Sequence, residues 1–303
     1  MQRVFLLGVG AQKAGTTWLW NYLNQRTDTD MGLVKEYHVL DARFTPEITH
    51  HGAKRVAAMG ELEWFHRFLP ARRQAPAWRL HRMERDLDRY FDYFTGLLSD
   101  RVRLTGDITP SYSALPAHVL SLVKEGFARR GVVVKVAFLM RDPAERALSA
   151  TRRHLEKYPE QCPPGTLTEV MKQMCRTPEY EARARYEKTL ACIEEVFAPE
   201  DRFICLYENL FQPASIERLC ASLNLPVQPA NFDERVNTAG ERMVLAPELR
   251  QELLSYYGET IAAVAQRLGH EEIARAWPGA LACASPAPGY AQRDCAAADA
   301  ACA

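Results

Sequence analysis

The sequence predicts an α/β fold, a P-loop-like central parallel sheet flanked by helices on both faces. Three observations predict it. Short apolar runs alternate with helical patterns along the chain, the order that builds a parallel sheet wrapped by helices. The first run, Val4-Phe5-Leu6-Leu7, is continuously apolar and ends in glycine, as a buried parallel strand does. The run GVVVKVAFLMRD (131–142) is rich in β-branched residues and reads as a central strand.

The first strand leads into GVGAQKAGTT (8–17), and Thr16 and Thr17 open a helical stretch, TTWLWNYLNQR. MGLV (31–34) is the expected second strand and RVRLTGD (101–107) the third. The run 131–142 is the fourth, and RFICLYE (202–208) the last. Helical patterns cover 86–98, 143–157, 180–197, 214–223 and 247–268. Pro143 suits the first turn of its helix. Residues 50–82 are basic and aromatic, and 159–178 hold a loop with an embedded helical turn. Both are read as insertions capping a site, with a solvated surface as the plainer reading of 50–82. Residues 1–280 are taken as one domain, near the upper size for a single core. From Leu281 the chain is a low-complexity tail expected to be disordered.

The 38 basic and 38 acidic residues balance, so the basic footprint of a nucleic-acid partner is lacking. All eight cysteines lie in the second half and none forms a C-x-x-C pair. That argues against a zinc site or a disulfide scaffold and for free thiols in a reducing cytoplasm. The opening MQRVFLLGVGA is too short in apolar run for a signal peptide. No stretch reaches the roughly 18 apolar residues of a membrane helix. A soluble cytoplasmic protein with no membrane partner is expected; oligomeric state leaves no sequence signal.

The loop carries the chemistry. A nucleoside-triphosphate phosphate loop reads G-x-x-x-x-G-K-[ST]. Gly10 and Gly15 have that spacing, but Thr16 stands where the lysine should be, and Lys13 lies inside the loop. Backbone N–H groups at such a strand-to-helix turn bind anions. Without the terminal lysine a triphosphate is the wrong ligand. A lysine midway along would reach a shorter donor, near the bond being broken.

AQKAGTTWLWNYL resembles the 5′-phosphosulfate loop of sulfotransferases that use 3′-phosphoadenosine 5′-phosphosulfate (PAPS). The resemblance implies that Gly10, Gln12, Lys13, Ala14, Gly15, Thr16, Thr17 and Trp18 hold the donor. A second stretch, RDPAERALS, is similar to that family's R-x-P-x-x-R-x-x-S arrangement through Arg141, Pro143, Arg146 and Ser149. It implies that Arg141 and Ser149 grip the 3′-phosphate. Arg is suited to phosphate by its planar, always-charged donors. Arg146 taken alone reads as a structural ion-pair residue. The third stretch, LVKEYHVLDARF (33–44), resembles the K-E-x-H-F-F-D segment of glycosaminoglycan-type sulfotransferases. Lys35, Glu36, His38 and Asp41 match, and Val39 and Leu40 depart. It implies Glu36 as general base, His38 as a second catalytic candidate, and Lys35 and Asp41 at the acceptor. The fourth, GDITPSYSALP (106–116), is similar to E-K-[ST]-P-x-Y, placing Asp107 and Tyr112 at the acceptor. Ile108 replaces the lysine there, against a heparin-like acceptor. The disulfide-closed loop of those enzymes has no counterpart, because Cys220 and Cys283 flank a cysteine-free span. VNTAGERM (236–243) is read as a nucleotide cover with Arg242 as a contact, and CLYENL (205–210) as a structural segment.

The resemblance implies a soluble bacterial-type enzyme moving a sulfuryl group from PAPS to an acceptor hydroxyl, with adenosine 3′,5′-bisphosphate (PAP) as product and no metal. Lys13 would sit at the bridging oxygen and Glu36 would take the proton. A glycan, phenol, steroid or small alcohol all remain as acceptor. Two rivals stay open: a divergent P-loop nucleotide kinase with Asp107 or Asp142 holding Mg²⁺, and a non-catalytic nucleotide-binding protein.

Overall fold

Five strands form one all-parallel sheet in the order β2-β3-β1-β4-β5. They are β1 (Val4–Gly10), β2 (Thr29–Asp30), β3 (Leu104–Ile108), β4 (Val133–Met140) and β5 (Arg202–Leu206). The structure is a computed structural model describing residues 2–53, 55–56, 76–158, 160, 167–232 and 245–285. All of β1, and all of β4 but its first residue, is buried. Side chains alternate across a sheet, so helices and loops cover both faces. On one side Phe5 stacks on Phe127 at 3.9 Å between centroids and meets Phe94 edge-on at 4.9 Å. Those rings come from the helices Leu87–Leu97 and Ala117–Ala128.

β1 pairs with β3 on one side and β4 on the other. The chain leaves β1 toward one sheet edge and returns later to fill the other. The crevice at such a reversal, outside the carboxyl ends of the strands, is where open α/β sheets bind ligands. The segments leaving β1, β3 and β4 meet there, and they carry three of the four sequence motifs.

Four of the five expected strands form close to their places; the second does not. Pairing with β3 ends at Asp30, opposite Thr105. The Gly32 N–H then donates to Asp30 Oδ1 (2.9 Å) and the Leu33 N–H to the Tyr37 hydroxyl (2.8 Å), so 31–34 turns out of the sheet. The patterns 180–197 and 247–268 each fall into two helices, Pro178–Ala182 with Tyr186–Val196, and Pro247–Tyr256 with Gly258–Leu268. Apolar spacing continues through both breaks, so periodicity alone does not mark them.

The chain divides into two compact units, Met1–Leu245 and Ala246–Ala303, where the sequence reading places no boundary. The first holds the sheet. Among its described residues the second contains three helices, the last His270–Ala276, and a 3-10 turn Ala280–Cys283. Helices Pro76–Arg85 and Leu167–Cys175 form in the two expected insertions. The rest of those insertions (54 and 57–75; 159 and 161–166) lies outside the described residues. So do 233–244, with Arg242, and the tail from 286. Among the described residues Cys175, Cys192, Cys205, Cys220 and Cys283 are free thiols, and no helix is long and apolar enough to cross a membrane.

Candidate active site

Beyond β1 the chain turns through three residues of positive φ: Gly10 (139°), Lys13 (69°) and Gly15 (89°). A Cβ on Gly10 would meet the Pro110 carbonyl oxygen at 2.9 Å. One on Gly15 would meet Leu210 Cδ2 at 2.7 Å. Left-handed backbone and close approach together demand glycine at both. The Ala11 N–H donates to the Leu139 carbonyl (2.6 Å), tying the loop to β4. Helix α1 (Thr16–Asn24) follows, with no side-chain cap and no acidic residue in its first turn. Its first N–H groups, unpaired within the helix, favour an anion. Gln12, Lys13, Gly15 and Thr17 are partly exposed, whereas Ala14, Thr16 and Trp18 are buried. Trp18 stacks with Tyr22 and Phe232 and donates from Nε1 to the Asn231 carbonyl (3.0 Å).

Arg141 leaves the end of β4 and lies over the same loop. Its Nη1 donates to the Lys13 carbonyl (3.3 Å), and its guanidinium sits 4.6 Å from the Tyr207 ring. Tyr207 and Leu210, which confine Gly15, belong to the CLYENL segment read as structural. Asp142 caps helix α2 (Pro143–Lys157), accepting from the Ala144 and Glu145 N–H groups. Ser149 is half-buried two turns along it. Arg146 is fully buried with its guanidinium 4.2 Å from the Tyr180 ring, a cation–π contact. Burial, then the charge of Arg153, and then those of Arg141 and Arg152 pull the Lys13 ammonium below its usual value; Glu156 offsets them in part. The positive charge acting on Lys13 suits a multiply charged anion.

The strap 35–41 crosses the end of β3. Lys35 Nζ pairs with Glu36 Oε1, and Glu36 Oε2 lies 3.4 Å from His38 Nε2. His38 Nδ1 lies 2.8 Å from Asp41 Oδ2, which also accepts from the Ser111 hydroxyl (2.6 Å). Burial would raise Glu36, but the His38 hydrogen bond and the Lys35 charge prevail and hold it at about 2. Burial would likewise lower His38, yet Asp41 and Glu36 raise it to about 9. His38 is therefore an imidazolium at neutral pH. It orients Glu36 and has no lone pair with which to act as a base.

Asp41, Asp107 and Tyr112 are 0%, 0% and 1% exposed. The expectation that they touch an acceptor is corrected: they have no surface to offer one and lie behind the strap. Lys35 and Glu36 remain partly exposed. Sequence reasoning missed Arg183, which is 8% exposed and pairs with Glu179 at 3.0 Å. Burial lowers its value, while the charges of Glu179, Asp41 and Glu36 act against that. It also missed His51, stacked on His38 at 3.5 Å. His38, Asp41 and His51 bring ligand atoms within 4.8 Å. The two rings are only 14° from parallel, so their in-plane lone pairs do not converge on one ion.

The His38 environment carries a test. Its ring signal in NMR should titrate near 9, and Asp41→Asn should bring it down toward the ordinary 6.5. Because the folded value is raised, the stability it contributes is complete below about 6.5 and lost as pH rises through 9. Urea unfolding of wild type should show that alkaline loss, and His38→Gln should not.

A solved sulfotransferase from Alicyclobacillus acidocaldarius is similar to this chain, with TM-score 0.53 and 21% identity, over 89% of this chain and 97% of that one. This chain has that sulfotransferase's fold. A sulfotransferase domain from the curacin biosynthetic pathway aligns with TM-score 0.45 and 18% identity, over 82% of each chain. No protein-family model and no curated protein matches the sequence.

Proposed function

We propose that this protein is a PAPS-dependent sulfotransferase acting on an acceptor hydroxyl. One observation carries the reading. A mid-loop lysine and an arginine from the next strand share one crevice, and an ionised glutamate rides on the strap over the third strand. PAPS supplies an activated sulfuryl group. The loop N–H groups, Thr17 and Lys13 bind its phosphosulfate, and Arg141 and Ser149 its 3′-phosphate. Lys13 stabilises the charge left on the departing phosphate oxygen. Glu36 accepts the acceptor's proton as the new S–O bond forms. A hydroxyl bonding to sulfur becomes strongly acidic, so a base held near 2 is strong enough to take its proton.

The kinase reading lacks its metal ligand. Asp107 is fully buried under three hydroxyl donors, and Asp142 is 2% exposed and spent on the α2 cap. Ligand-induced stabilisation separates the readings, since a ligand raises the melting temperature with its affinity. PAP should raise it more than ATP with Mg²⁺. Arg141→Ala should weaken PAP by about 1.5–3 kcal/mol, the scale of a charged hydrogen bond. Adenosine 5′-phosphate, lacking the 3′-phosphate, should change little. Equal losses in calorimetry would remove Arg141 from this role, and an absence of turnover with labelled donor across hydroxyl acceptors would leave a binding protein.

A further inference from the structure

Asp107 is buried in the floor beneath the strap and touches neither Glu36 nor His38. Its Oδ2 accepts from the Tyr90 hydroxyl (3.0 Å) and the Tyr112 hydroxyl (2.7 Å), and its Oδ1 from the Thr109 hydroxyl (2.6 Å). A hydroxyl has one proton to donate. Thr109 and Tyr112 spend theirs on the carboxylate, so only their lone pairs face the strap. Those lone pairs are used. Thr109 Oγ1 accepts from the Tyr37 N–H (3.0 Å), and the Tyr112 oxygen accepts from the N–H groups of Val39 (3.2 Å) and Leu40 (3.4 Å). The bonds fall on both sides of His38, whose φ of 50° is uncommon for a residue other than glycine.

We propose that Asp107 is a positioning residue, setting the proton direction of two hydroxyl relays that hold the strap presenting Glu36 and His38. The assignment of Glu36 as base rests on the proposed function; the relay itself does not. Burial pushes Asp107 up to about 6 against its three donors, which leaves it mainly ionised at neutral pH. An asparagine there inverts part of the pattern. Its amide N–H groups need acceptors, so a facing hydroxyl must accept and turn its own proton toward a strap N–H. Donor then meets donor, and the strap loses its anchor.

Thr109 offers the cleaner test. Thr109→Val keeps the shape and removes the relay; Thr109→Ser keeps the hydroxyl. The readout is the NMR titration of the His38 ring, which depends on Glu36 and Asp41 being held in place around it. Thr109→Val and Asp107→Asn should each bring the His38 midpoint down from about 9 by a unit or more, and Thr109→Ser should not. In turnover with labelled PAPS, Thr109→Val should lose ~10-fold or more, as a misplaced catalytic group does, with PAP affinity kept. An unmoved His38 midpoint in Thr109→Val, or equal shifts in the valine and serine variants, would overturn the relay. Should Asp107→Asn not fold, the Thr109 pair decides alone. Should wild type transfer no sulfuryl group, the function fails while the titration still decides the relay.

Discussion

Glu36→Gln is expected to lower turnover by ~10²-fold or more, the usual worth of a general base, with PAP affinity near wild type. The amide keeps the shape and still hydrogen-bonds, but accepts no proton at neutral pH. Two features make the expectation sharp. Glu36 is held ionised by His38 and Lys35, so the base is fully formed across the working range. Its opposite neighbour is no substitute, because His38 is itself held protonated. Rate lost without donor affinity is the mark of an interaction made in the transition state. A Glu36→Gln variant that keeps most of its turnover would remove Glu36 from the chemistry, and with it the enzyme mechanism proposed above.

Lys13→Ala should differ in kind, losing ~10²–10³-fold in rate, the scale for one donor aimed at developing charge, and donor affinity as well. Lys13 sits at a left-handed position, and its backbone carbonyl accepts from Arg141. Burial and the surrounding guanidinium groups disfavour its charge in the free protein, Arg153 foremost among them. A multiply charged anion would reverse that balance, so Lys13 should bind the donor and also stabilise the leaving oxygen. Single-turnover kinetics with labelled PAPS, beside calorimetry with PAP, separate the two parts. A variant that loses affinity alone would place Lys13 in binding only.

The motifs that define the site were legible because each is local. Gly10 and Gly15 must be glycine for backbone reasons, Lys13 lies between them, and Arg141 with Pro143 marks the change from strand to helix. β1 and β4 were legible because a strand buried on both faces is a continuous apolar run. The lost second strand shows the limit. MGLV has strand-like residues, but its pairing is ended by an Asp30 turn and a hydroxyl 4 residues on, at Tyr37.

By itself the sequence determined the parallel α/β order, the glycine turn after the first strand and which charged side chains lie in and near it. Those follow from short-range rules of periodicity, glycine geometry and residue chemistry. Only the tertiary structure decided what each polar group does. Asp107 and Tyr112 look like acceptor contacts in a linear motif, yet β3 and the 3-10 turn after it (Pro110–Ala114) carry them under the strap, where burial turns them into supports. Glu36 and His38 are two residues apart in sequence, but their charge states depend on Asp41, Ser111 and the floor of hydroxyls beneath. Desolvation and hydrogen-bond direction are properties of the packed neighbourhood, and in this site they separate the proposed base from the residues that hold it.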